Sequence, residues 1–199
     1  MNKYQITLTL TEPILGTVPK NRTIYAAHIQ SRAADLGDEQ AAEELGTVEH
    51  MEEKGWSGFH MKDGQPILYD YVIKGFFKDA CGMLRRASNT KSSKVSAYKK
   101  VIDGLVFVSP RQIPFVLPAG EGLGVLERPL RAQTAQGERV ALARSDTCPA
   151  GTQITFIVSI LGSVSQALLK EWLDYGELRG LGQWRNAGYG AFVYEMVKL

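Results

Sequence analysis

Toward its C-terminus the chain runs "RGLGQWRNAGYG" from Arg179 to Gly190, a stretch dense in residues that handle phosphates and flat rings. The pattern Gly180-x-Gly182-x-x-Arg185-x-x-Gly188-Tyr189-Gly190 removes Cβ atoms where a phosphate backbone could approach the main chain. Successive backbone N–H groups in such a run can form an anion-binding nest, and an arginine offers phosphate a bidentate fork. Trp184 and Tyr189 add faces on which nucleobases stack. The run follows a helical pattern and opens a strand. A dinucleotide-binding turn does the reverse, following a strand and opening a helix. The residues alone leave two readings open: contact with nucleic acid, or a crossover whose glycines permit tight helix-to-strand packing.

Charge is unevenly spread, although the net value is only +2. Between His28 and Lys54 there are eight acids and two Lys or Arg. Between Lys74 and Lys100 there are eight Lys or Arg and one acid, Asp79. A local anion-binding face fits this asymmetry, as do two solvated helical faces of opposite sign. Other chemistry is sparse. His50 and His60 have no carboxylate or cysteine at metal spacing, so no metal site is expected. Cys81 and Cys148 form no metal motif and read as buried thiols of a reducing compartment. No P-loop or G-x-S-x-G elbow is present, and no cofactor is implied. The opening "MNKYQITLTLTE" alternates like a strand and lacks the apolar core of a signal peptide, and no apolar run is long enough to span a bilayer. A cytoplasmic protein with no membrane partner is expected.

The elements that must position the glycine run are legible by period. Lys3 to Thr11 places Tyr4, Ile6, Leu8 and Leu10 on one side, as a half-buried strand does. Ala26 to Glu53 reads as two short helices. The turn "KDGQP" precedes the strand-like "ILYDYVI". "KGFFKDACGMLRRAS" spaces its apolar residues as an amphipathic helix, with the basic Lys74, Lys78, Arg85 and Arg86 outward. Gly104 to Arg144 reads as hairpins, with Pro114, Pro118 and Pro129 at edges or bulges. "TQITFIVSI" is a strand, Val164 to Tyr175 a helix, and Ala191 to Val197 a last strand. The fold class expected is α+β: a ferredoxin-like, RRM-like βαββαβ sheet with inserted helices and β-hairpins. One domain over 1–199 is expected, with a helical insertion at 26–56 and a β-hairpin insertion at 104–146.

The glycine run resembles the signature of the RAMP superfamily, the RNA-binding proteins of CRISPR systems, where G-x-G-x-x-R/S-x-x-G-[YF]-G precedes the last strand. "PILYDYVIKGFFKDACGMLRR", Pro66 to Arg86, is similar to the segment of effector backbone subunits that grips guide-RNA phosphates at a helix start. "ERVALARSDTCPAGTQITFIVSI" resembles the hairpin and strand that follow in such subunits. The small hydroxyl residues of that helix start are missing here, leaving Lys74, Lys78 and Arg85 for phosphates. Some backbone subunits cut target RNA with an aspartate after the first strand. "GTVPKNRTIYAAHIQ" has no acid there, and Asp35 and Asp38 lie further on.

The resemblance implies a non-catalytic protein that binds single-stranded guide RNA and joins other subunits or copies of itself into a ribonucleoprotein. The contact residues it implies are Lys74, Lys78, Arg85, Arg86, Gly180, Gly182, Trp184, Arg185, Gly188, Tyr189 and Gly190. Guide-processing endoribonucleases of the same superfamily act without metal through a histidine after the first helix. His28, near Lys20, Arg22 and Tyr25, is the candidate for that alternative. A third reading is a phage- or mobile-element-encoded relative that joins or blocks a partner's assembly through the acidic stretch Asp35 to Glu53.

Overall fold

Strand β1 (Asn2–Leu10) buries Tyr4, Ile6, Leu8 and Leu10 on one face, while Thr7 on the other bonds Thr155 across the sheet. The computed structural model describes residues 1–21, 23–26, 40, 43, 55–134 and 137–199, with the side chains of 130–141 excepted. β1 lies between β11 (Gln153–Ile160) and the C-terminal β12 (Phe192–Lys198), antiparallel to both, with Leu8 opposite Ile154 and Tyr194. The far edge of β11 pairs β7 (Val106–Ser109) and then β8 (Gln112–Val116), and β8 pairs β6 (Gln65–Tyr69), which pairs β5 (His60–Lys62).

Two helices cover the apolar face. Helix α1 (Asp70–Leu84) turns in Ile73, Phe76, Phe77, Ala80 and Cys81, at the three- and four-residue spacing of one helical stripe. Helix α3 (Gln166–Arg179) is capped by Ser165, whose side chain accepts from Leu168 N–H, and buries Leu168, Leu169, Trp172 and Leu173. Phe77 packs on Trp172 with ring centroids 5.6 Å apart, and Phe76 on Phe192 at 5.9 Å. The core order β1, α1, β7, β11, α3, β12, with strands arranged β12-β1-β11-β7, is the ferredoxin-like βαββαβ sheet.

The chain departs from the periodicity reading at α1. Asp70 to Ile73 alternates like a strand, yet β6 stops at Tyr69 and the helix begins at Asp70, four residues before Lys74. Ile73 is fully buried in the core, and tertiary burial outweighs the strand preference of Val72 and Ile73. An eight-residue helix α2 (Tyr98–Leu105) precedes β7, where "GLVFVS" reads as strand throughout. Helix α3 runs one turn beyond Tyr175 before the glycine run begins.

A second sheet stands beside the first, in the order β2 (Ile14–Leu15), β10 (Gly137–Cys148), β4 (Trp56–Gly58), β3 (Val18–Pro19). The long hairpin of β9 (Gly124–Thr134) and β10 grows from it, with Pro129 on the outer strand. Cys148 is buried at the base of β10, where burial and the nearby Asp146 push its thiol up to about 12. Both cysteines are free and buried. No helix among the described residues is long and apolar enough to cross a membrane.

Candidate nucleic-acid interface

The glycine run leaves α3 where Gly180 adopts a positive φ of +75°, and it folds into a loop with a closed neck. Leu181 N–H donates to Gly190 O at 2.9 Å, and Gly190 N–H donates to Pro13 O at 2.9 Å. A Cβ on Gly180 would sit 2.6 Å from Tyr189 O, and one on Gly190 would run into the Leu181 carbonyl. A Cβ on Gly182 would press on Ile14 at 3.0 Å. These three glycines therefore serve the packing of the neck. Gly188, at φ +89°, has open space where its Cβ would be, so it alone leaves a backbone that another molecule can approach.

Two polar anchors fix the loop. Gln183 Nε2 donates to Gly16 O at 2.6 Å and to Ser145 Oγ at 3.0 Å, tying the loop to the second sheet. Arg185 Nη1 donates to Asp79 Oδ2 at 2.6 Å, tying it to α1. Arg179 Nε lies 3.6 Å from the same oxygen, and Arg179 Nη1 donates to Asn186 Oδ1 at 2.5 Å. Asp79, the one acid of the basic segment, is thus shared by two guanidinium groups.

Between these anchors lies an aromatic tip. Trp184 has a left-handed φ of +58°, an uncommon state for a bulky residue and one that recurs where a site dictates backbone shape. Arg128, reaching from β9, holds its guanidinium carbon 3.9 Å from the Trp184 ring centroid and 4.9 Å from that of Tyr189. The rings are half-buried, and Gly188 beside them is exposed. Arg128 is the residue that sequence reasoning missed. It sits inside a strand more than fifty positions from its ring partners, and nothing in its local pattern marks it.

The basic residues of α1 point elsewhere. Lys78 forms an ion pair with Asp103 at 2.5 Å, and Lys74 donates to Asp103 O at 3.1 Å and lies over the Phe107 ring. Arg85 stacks on Tyr98, and Arg86 is exposed beyond the helix end. Lys74, Lys78 and Arg85 therefore contact α2 and β7, while Asp79, a hundred degrees round the helix, faces the glycine loop. At the start of α1, the resemblance implies an anion grip, but Asp70 occupies the first position. Burial raises its carboxyl above the ordinary range, against the pull of Tyr71 N–H, Arg111 and Lys74. A helix start that carries its own acid is a poor phosphate site.

His28, Asp35 and Asp38 lie outside the described residues, as does most of the span 26–56. His60 is buried, with Nε2 3.1 Å from Tyr25 Oη and its ring edge-on to Tyr69.

No protein-family model and no curated protein matches this sequence. Solved structures do match in shape. A chain of the cryo-EM structure of the type III-B Cmr-beta complex bound to cognate target RNA superposes with a TM-score of 0.54 over 99% of this chain, at 13% identity. This chain covers 61% of that one. A chain of a type IV-B CRISPR complex superposes with a TM-score of 0.47 over 98% of this chain and 90% of its own, at 13% identity. In fold, the chain is similar to a chain of the type III-B Cmr-beta structure bound to cognate target RNA.

Proposed function

We propose that this protein binds single-stranded RNA, without sequence specificity and without cutting it, as a subunit of a CRISPR-type ribonucleoprotein. The observation that carries the reading is the anchored glycine loop. It holds Trp184 and Tyr189 beside the open backbone of Gly188, with Arg128 against both rings. Flat rings accept any base, and a cation accepts any phosphate, so such a tip suits an unpaired strand of arbitrary sequence. The likeness in fold to a chain of an RNA-bound complex supports the reading. So do the exposed basic residues Arg86, Lys94, Lys99 and Lys100.

The test is fluorescence anisotropy with labelled oligoribonucleotides of unrelated sequence, single-stranded and duplex. Comparable affinity for the different single strands, weaker binding of duplex, and uncut RNA are expected. Binding of the duplex alone, or RNA cut in EDTA by the wild type but not by His28→Ala, would replace this reading.

A further inference from the structure

We infer that the cation meeting RNA at the glycine loop is Arg128 of the hairpin rather than Arg185 of the loop itself. The inference rests on the RNA-binding reading and assigns a residue and a ligand group within it. Arg185 is the arginine of the motif, but its Nη1 is 2.6 Å from Asp79 Oδ2 and its charge is answered there. To take a phosphate it would have to leave a half-buried carboxylate, with only Arg179 remaining beside it. Arg185 is a positioning residue that docks the loop on α1.

Arg128 is in the opposite state. Its contacts are the two ring faces, and among the described residues it makes no ion pair. A guanidinium held by its face keeps its N–H donors at its edge and in plane. Such an edge matches two oxygens of a phosphodiester in bidentate fashion. The stack fixes the fork before any ligand arrives, so less side-chain freedom is lost on binding. Gly188, open beside Tyr189, lets a sugar–phosphate chain come close to the same point. The ligand is thus a phosphodiester of an unpaired strand, with a neighbouring base on the outer face of Trp184 or Tyr189.

The experiment measures affinity of the full chain for a short labelled oligoribonucleotide at several salt concentrations. Each phosphate contact on a single strand contributes about 0.7 to the slope of log K against log salt. Arg128→Ala is expected to bind about tenfold more weakly, with a slope shallower by about 0.7. Arg185→Ala is expected to melt earlier and keep the wild-type slope. Arg128→Lys keeps the charge without the planar fork, and is expected to retain the slope with intermediate affinity. Should Arg128→Ala be unfolded at the assay temperature, Arg128→Gln supplies the same comparison. Wild-type affinity and slope in the Arg128 variants, or a flattened slope in Arg185→Ala alone, would overturn the assignment while leaving RNA binding in place. A wild type that binds no RNA would end both.

Discussion

Gly190 and Gly188 carry the same left-handed sign of φ in one loop, yet they answer to different demands. At Gly190 a methyl meets the Leu181 carbonyl, part of the hydrogen-bonded neck, and neither backbone can give way. At Gly188 the methyl meets nothing, so only the left-handed backbone opposes it. Gly190→Ala should cost more than 3 kcal/mol, and Gly188→Ala about 1–2 kcal/mol. Urea unfolding of the two variants measures the difference, and equal losses would refute the distinction. Of the two, Gly188→Ala should also weaken RNA binding per folded molecule.

Glu171 gives a second residue-scale expectation, with a sign fixed by titration. Burial pushes its carboxyl up, but the Ser92 hydroxyl and the N–H groups of Lys91 and Ser92 hold it below the ordinary 4.5. Those bonds, at 2.6, 2.6 and 2.9 Å, staple residues 91–92 to α3. A carboxyl depressed by folding contributes stability that is present above the unfolded pKa and lost as pH falls through the folded one. Glu171→Gln should therefore cost about 1–2 kcal/mol at pH 7, and the gap to wild type should narrow below pH 4.5. Unfolding free energies at neutral and acid pH test this, and a gap that widens in acid would contradict it.

At the scale of elements, four pieces apart in sequence converge on the glycine loop. Asp79 of α1 holds Arg185, Ser145 of β10 and the Gly16 carbonyl hold Gln183, and Arg128 of β9 lies on the two rings. A double-mutant cycle of Asp79→Ala and Arg185→Ala should give a coupling near 1 kcal/mol, since both side chains are partly exposed. Additive losses would mean that the pair does not dock the loop. The convergence also explains what was legible in the sequence. The glycines, Trp184, Arg185 and Tyr189 lie within the single run Gly180 to Gly190, so their motif could be read directly. Asp79 stood out as one acid among bases, but not as the partner that engages Arg185. Arg128 carried no signal, because its role depends on where the fold sets β9 against the loop. Lys74 and Lys78 were legible as the outer face of a helix, while the helix α2 and the Asp103 that meet them were not.

For the whole molecule, alternation in β1 and β11 and the two amphipathic stripes sufficed to fix a ferredoxin-like sheet with helices on one face. They could not place the second sheet, whose short β2, β3 and β4 are two or three residues long and have no period to read. That sheet carries the hairpin, and through it loop tip and hairpin strand meet in one composite surface, the one proposed to take RNA. The most direct measurement is ultraviolet crosslinking of the full chain to a single-stranded oligoribonucleotide, with crosslinked peptides identified by mass spectrometry. Crosslinks are predicted at Trp184 and Tyr189 of the loop, with weaker ones on the β9 peptide that contains Arg128. Crosslinks confined to other surfaces, such as the face of the main sheet that bears Thr7 and Thr155, would contradict an interface at the glycine loop.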